Sequence, residues 1–285
     1  MVQLSCTVRG CGAPLALPAE SARVLACARG HAFDRAKSGY WNLLQPQDRR
    51  SLDAGDSKDA VEARRRLFER GLFAPWIAEL ALVLERAGVE RGARTLDVGC
   101  GEGSILGALA PRFALDACGL DLSTRAAELA ARAHPSLTWV VANGDRRLPI
   151  VDGALDLVLS ITARRSPGEF ARVLRPGGLA LVALPGADDL AELRAAVLGE
   201  SVDLAGGAAP FEALAREFQG EFTLTESREF AFRAHVPPER LADVLLATYR
   251  GARAGRAERV EELARSGPFE TRFSWRVALL ERRRA

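Results

Sequence analysis

The sequence predicts an α/β protein, a doubly wound and mostly parallel sheet with a small metal-stabilised module ahead of it. Three observations carry that expectation. Apolar runs of strand length alternate with helical periodicity from residue 94 onward, the pattern of a parallel sheet covered by helices. A glycine-rich turn at Gly99, Gly101 and Gly103 follows the first of those strands. Three of the five cysteines lie in the first 27 residues, near one of only three histidines.

Composition sets the bounds. The chain has 285 residues, 48% hydrophobic and 27% charged, which are globular proportions and allow a sizeable core. Its length suits one large domain with an appendage, or two modest ones. No run approaches eighteen uninterrupted apolar residues, so no membrane span is expected. The first ten residues lack the basic start and apolar run of a signal peptide, which makes the cytoplasm the expected compartment. A net charge of +2 argues against a general polyanion-binding surface but leaves room for a local patch.

The N-terminal cysteines and His31 fall in two short-spaced pairs. Four residues separate Cys6 from Cys11, three separate Cys27 from His31, and fifteen lie between the pairs. Two short-spaced pairs joined by such a loop match a tetrahedral Cys3His zinc site. Gly10, Gly12 and Gly30 supply the turns that aim each pair at one point. The plainer reading is three free thiols in a floppy arm. A segment of about 45 residues has too little core to fold unaided, yet this one carries Phe33, Tyr40 and Trp41. Zinc supplies on the order of 10 kcal/mol to such a module. Four protein ligands close the shell, so the site is structural. The expected division is a zinc-binding module over 1–45, a helical linker contributing to the cofactor pocket over 46–88, and the α/β domain over 89–285.

The run Arg94 to Val98 reads as a buried strand, and a helical pattern follows the glycine turn. Glycines let the backbone approach a ligand and open a helix N-terminus toward it. The spacing is Gly-x-Gly-x-Gly, and Gly107 lies too far along to restore a dinucleotide fingerprint. Residues 117–121 form a second short strand closed by Asp121, an acid placed to accept a ribose diol; the plainer reading is a solvated turn residue. Ser123 caps the next helix. A third strand over 137–142 leads into Asn143, Gly144 and Asp145, where side chains can read an adenine edge. Residues 155–161 are near-continuously apolar, as in a central parallel strand. A helix from Glu169 is expected to end at Pro176-Gly177-Gly178 and turn into a strand over 179–184. Beyond a loop at 206–210, residues 222–232 read as a strand, 237–250 as a helix and 270–280 as a final antiparallel strand.

Residues 96–103 (Leu-Asp-Val-Gly-Cys-Gly-Glu-Gly) and 172–178 (Arg-Val-Leu-Arg-Pro-Gly-Gly) closely resemble class I S-adenosylmethionine (SAM)-dependent methyltransferases. The likeness spans roughly residues 90 to 186. It implies a Rossmann-like sheet of seven strands, the last antiparallel, with SAM as cofactor held around Asp97, Gly99, Gly101, Glu102, Asp121, Leu122 and Asn143.

A narrower likeness covers nearly the whole chain. The cysteine cluster is followed by Gly30-His31-Ala32-Phe33-Asp34, Ala36-Lys37-Ser38-Gly39-Tyr40-Trp41-Asn42, Gly55-Asp56-Ser57 and Ala63-Arg64-Arg65. This order resembles the bacterial 23S ribosomal RNA guanine-N1-methyltransferases that bear an N-terminal zinc finger. Members of that family methylate one guanine in an rRNA hairpin, and some confer macrolide resistance. The resemblance implies zinc on Cys6, Cys11, Cys27 and His31, with the first pair spaced two residues wider than in the family. It implies SAM contacts at Gly101 and Glu102, an aromatic contact at Phe73 in place of the usual Tyr, and a contact at Asp189 where the family usually has His. It is also compatible with a homodimer. After the fourth strand the family has an Arg-Ile-Tyr-Ala-Pro-like stretch, where this chain reads Ser160-Ile161-Thr162-Ala163-Arg164-Arg165. That loop should help set substrate choice.

Methyl transfer needs the nucleophile in line with the sulfonium and water kept out. Guanine N1 carries a proton, which a nearby carboxylate can take. Asp56 is the candidate base, read equally as a helix N-cap before residues 60–66, and Asp53 is no better. Tyr40, Trp41, Arg49, Arg50 and Arg64 to Arg66 are candidate RNA contacts. The plainer readings are that the two aromatics pack the module onto the catalytic domain, and that residues 64–66 form a solvated helix face. Three functions are compatible with these residues: an rRNA guanine-N1-methyltransferase, a methyltransferase for a metabolite or protein, and a non-catalytic SAM- or RNA-binding protein.

Overall fold

The computed structural model describes residues 2–17, 23–48, 56–198, 210–247 and 257–284. Arg49, Arg50, Asp53 and Gly55 lie outside these, as do residues 206–209 of the expected loop and 248–250 of the expected helix.

The N-terminal module is a three-stranded antiparallel sheet of β1 (Leu15–Ala16), β2 (Val24–Cys27) and β3 (Ala32–Asp34). A fourth short strand, β4 (Trp41–Asn42), leaves the module and runs parallel to the main sheet's edge, Trp41 opposite Val140. Trp41 is buried, and Tyr40 packs on the main core. Both aromatics thus join the module to the α/β domain.

Two helices follow, α1 (Lys58–Glu69) and α2 (Ala74–Arg86). Ser57 caps α1, its hydroxyl accepting from the Ala60 amide at 3.2 Å; Asp56 is therefore not the cap. Val61, Ala63 and Leu67 form the buried face of α1.

The α/β units then run β5 (Arg94–Val98), α3 (Ser104–Phe113), β6 (Asp116–Asp121), α4 (Thr124–Ala133), β7 (Thr138–Val141), β8 (Leu155–Ile161), α5 (Pro167–Val173) and β9 (Leu174–Pro185). After α6 (Ala191–Leu198) and α7 (Pro210–Phe218) come β10 (Phe222–Val236), α8 (Leu241–Ala247), α9 (Ala257–Arg265) and β11 (Phe269–Arg282). The sheet order is β10-β11-β9-β8-β5-β6-β7-β4. Seven strands have the expected arrangement, with β11 antiparallel between β9 and β10, and β4 adds an eighth at the far edge.

Period-two alternation sorts side chains to the two faces. In β9, Leu181 and Ala183 face a core with Leu106, Leu109, Trp139 and α2. Ala180 and Val182 face a second core shared with Leu96, Leu120, Val140 and the module's Leu4, Leu25 and Phe33. Each fully buried Leu or Val contributes roughly 1.5–3 kcal/mol. The zinc module is therefore packed on the sheet as part of one core.

Three boundaries differ from expectation. Helix α5 ends at Val173, and Pro176-Gly177-Gly178 lies inside β9 as an irregularity where Leu155 pairs Leu174 and Leu157 pairs Leu179. Gly177 takes φ +73° there, a conformation glycine adopts without strain. Pro210 opens α7 instead of closing a loop, which suits proline at a first helical position. The helix expected from 237 begins as a 3-10 turn at Pro238–Arg240 before α8.

Candidate cofactor and metal sites

The zinc ligands come together as the spacing predicts. The Sγ atoms of Cys6, Cys11 and Cys27 and a ring nitrogen of His31 lie within 4.8 Å of one another. Cys6 Sγ is 3.4 Å and Cys27 Sγ 3.5 Å from His31 Nδ1, and Cys11 Sγ is 3.9 Å from Cys27 Sγ. Zinc–ligand bonds of about 2.0–2.3 Å place tetrahedral donors about 3.5–3.8 Å apart, so the four atoms fit zinc. Each pair sits on a turn. The Cys11 amide donates to Val8 O and the Gly30 amide to Cys27 O, and Gly10, Gly12 and Gly30 take positive φ. Burial and the neighbouring thiols push the Cys6 thiol up to about 12. Burial also acts on Cys27, but backbone donors at Arg29 and His31 bring it down to about 7. A bound cation must displace the Cys6 proton, so metal binding is linked to pH.

The glycine turn builds the second site. Gly99, Gly101 and Gly103 take φ of +73°, +57° and +80°, and Gly99 and Gly103 are also crowded. A Cβ on Gly99 would lie 2.6 Å from the Ala163 methyl, and one on Gly103 2.5 Å from the Trp139 ring. With no side chain at these three positions, the backbone at the C-terminal end of β5 can be approached closely by a ligand. Asp121, at the end of β6, accepts from the Gly101 amide at 2.9 Å and the Ser123 amide at 2.8 Å. An ionised carboxylate has about four acceptor sites, so capacity remains for a diol. Ser123 caps α4 through the Ala126 amide.

Asp97 and Glu102 are both buried. Burial, reinforced by Asp121 and Glu102, pushes the Asp97 carboxyl up to about 7. Burial also raises Asp121, against the two amides it accepts from. Three acids thus converge on the turn, a setting that favours a cationic ligand.

The other expected contacts are held by different elements. Asn143 donates to Asp48 O at 3.1 Å and accepts from the Asp145 amide, tying the module's exit to the loop after β7. Leu122 is half-buried beside Asp121. Phe73 and Asp189 both reach β11: Phe73 packs edge-on against Phe273 (5.6 Å) and Trp275 (6.1 Å), while Asp189 accepts from the Ser274 amide at 2.9 Å. Asp56 is held by Arg64 Nη2 at 2.6 Å.

The variant loop after β8 closes over the turn. Thr162 takes φ +54°, a strained conformation for a β-branched residue. Its amide is held by Ala183 O at 2.8 Å. Arg164 pairs with Asp145 and Arg165 with Glu217, fencing a cavity of about 540 Å³ lined by Val98, Gly144, Asp145, Arg164, Ser166 and Glu217.

Residues 64–66 do not form a single solvated helix face. Arg65 does pair with Glu69 on an exposed face. Arg66, however, donates twice to the buried Asp243 of α8, and Arg64 turns inward to Glu102 at 2.8 Å. The partners are 38 and 177 residues away, beyond any local pattern. Gly107, set aside by its spacing, is glycine because a Cβ would lie 2.2 Å from the His134 ring.

The fold and its two sites define a SAM-dependent methyltransferase carrying an N-terminal zinc ribbon. A family described as "Methyltransferase domain" matches residues 95–178, and one described as "RlmA, N-terminal" matches residues 6–52. The chain is 42% identical over 186 residues to the "23S rRNA (guanine(748)-N(1))-methyltransferase" of Streptomyces fradiae, covering 64% of each chain. It is 35% identical over 237 residues to the "Putative 23S rRNA (guanine-N(1)-)-methyltransferase" of Micromonospora griseorubida, covering 76% of this chain and 77% of that one. The solved "Complex between the Haloferax volcanii Trm112 methyltransferase activator and the putative methyltransferase" shares the fold, with a TM-score of 0.50 at 22% identity over 80% of this chain and 99% of that one. The chain belongs to the 23S rRNA (guanine-N1)-methyltransferase family. Among the described residues no helix is long and apolar enough to cross a membrane.

Proposed function

We propose that the chain methylates N1 of a guanine in a 23S rRNA hairpin. One observation supports this above the others: the cofactor turn and a cationic zinc ribbon belong to one packed body. Residues 1–45 contain five basic residues against two acids. Among the described residues none of the five pairs with a carboxylate. Arg23, Arg29 and Arg35 donate to carbonyl oxygens. In the α/β domain many arginines are neutralised by acids, as Arg94, Arg125 and Arg172 are, while Arg91, Arg216 and Arg259 also donate to carbonyl oxygens. Unpaired cations are what phosphates bind. A cleft of about 420 Å³ runs between the first knuckle and the loop after β7, bordered by Arg9, Gly12, Asn143, Arg146 and Arg147.

SAM supplies an activated methyl group. The bare turn, with Asp97, Gly99, Gly101, Glu102, Asp121 and Leu122, would hold it, with Asn143 on the adenine side and Phe73 and Asp189 at the β11 end. Asp56 is the proposed acceptor of the guanine N1 proton. The division into ribbon (1–45), linker (46–88) and catalytic domain (89–285), a homodimer and a cytoplasmic location complete the reading.

Methyl transfer from labelled SAM to unmodified 23S rRNA, with mass spectrometry of the nucleosides, tests it. Appearance of 1-methylguanosine is the expected result. A second reading follows from the loop fenced by Arg164 and Arg165: a metabolite or protein acceptor. SAM binding without RNA labelling would favour that reading, and any acceptor-dependent turnover removes the non-catalytic one.

A further inference from the structure

We propose that Arg64 of α1 binds the carboxylate of the methionine moiety of SAM. The inference rests on the glycine turn being the SAM site, and adds the residue that recognises the one anionic group of that cofactor.

Charge makes the argument. Asp97, Glu102 and Asp121 converge on the turn, and Asp56 lies against it through Arg64. Such surroundings suit the sulfonium and ammonium groups of SAM but repel its carboxylate, unless a cation is set among the acids. Arg64 is the cation the structure sets there. Its guanidinium lies 3.4 Å from where a Cβ on Gly101 would sit, and its side chain is 24% exposed. Nε donates to Glu102 and Nη2 to Asp56. These two bonds fix the plane of the group, and Nη1 makes no hydrogen bond among the described residues. A planar guanidinium with free donors, held rigid at the lip of the turn, is suited to a carboxylate. Its neighbours are committed elsewhere, Arg65 to Glu69 and Arg66 to Asp243.

The test is calorimetric titration of the zinc-loaded full chain with SAM and with decarboxylated SAM. In Arg64→Gln, SAM should bind about ten- to a hundredfold more weakly, the range for a hydrogen bond to a charged group. Decarboxylated SAM should bind as before or more tightly, because a repelling cation has gone. Arg64→Lys, which keeps the charge, should recover part of the SAM affinity and guards against misfolding of the glutamine variant. Equal weakening of both ligands would show that Arg64 only braces Glu102 and Asp56, and would overturn the proposal, as would no weakening of either. If the unaltered chain binds neither ligand, the SAM reading of the turn falls and this assignment falls with it.

Discussion

At Asp97 a carboxylic acid sits beneath the cofactor turn with its pKa pushed up to about 7 by burial and by Asp121 and Glu102. Between its ordinary value near 3.8 and about 7, the folded chain keeps a proton that the unfolded chain has lost. This group therefore weakens the fold as pH rises through that window and adds no further change above it. A cationic ligand favours the ionised form. SAM affinity should accordingly rise from pH 6 to pH 8, with proton release near pH 6.5 seen in buffers of different ionisation enthalpy. Asp97→Asn should flatten the profile; a slope that survives the substitution assigns it to another group. Gly103 gives a second residue-scale expectation. Alanine there meets both the left-handed backbone, at roughly 1–2 kcal/mol, and the Trp139 ring 2.5 Å away. Its urea midpoint should fall further than that of Gly71→Ala, where φ is +75° but nothing lies within 4 Å.

Among elements, the zinc ribbon and the aromatic seam between α2 and β11 are the two joints that matter. Cys6 and Cys27 belong to the same core cluster as Val140, Leu148 and Ile150 at the sheet edge. Stripping the metal should therefore disturb that edge as well as the ribbon. A strong chelator should lower the thermal midpoint and change the emission of buried Trp41, and Cys11→Ser should reduce bound zinc from about one ion per chain toward none. Unchanged melting after metal loss would mean that the packing of Leu4, Leu25 and Phe33 suffices without it. At the other joint, Trp76 stacks on Trp275 at 4.5 Å and on Phe230 at 5.7 Å. Trp76→Ala should cost about 3–5 kcal/mol by denaturant titration. It should also disturb Phe73, which rests on the same Trp275.

The whole molecule is nearly neutral, at +2, yet among the described residues the ribbon's cations form no ion pairs while its neighbour across the cleft, Arg146, pairs with Asp48. If the ribbon grips the RNA backbone, replacing Arg9 and Arg29 together by alanine should weaken binding across RNA sequences. The slope of log affinity against log salt should shrink by about one for each lost phosphate contact. The cofactor site, at the end of the interior strand β5, should keep its SAM affinity. A variant with an unchanged salt slope would place the RNA on another face.

Local sequence patterns specify the class and most of the framework. The Cys6, Cys11, Cys27 and His31 spacing, the turn at Gly99 to Gly103, and Asp121 at the end of β6 are local patterns, because each is a short chain segment that must make one tight geometry. The strand and helix alternation followed from periodicity for the same reason. Long-range contacts were decided by the tertiary structure. Strand β4 crosses from the ribbon to the sheet, Arg64 turns inward to Glu102, and Arg66 on the same helix reaches Asp243. Asp189 is held by Ser274, and Gly107 is glycine because of His134. Nothing in the neighbouring residues encodes those partners. They are chosen by which charges and rings the finished core brings within reach, and the free energy of pairing a buried charge exists only once that core has excluded water.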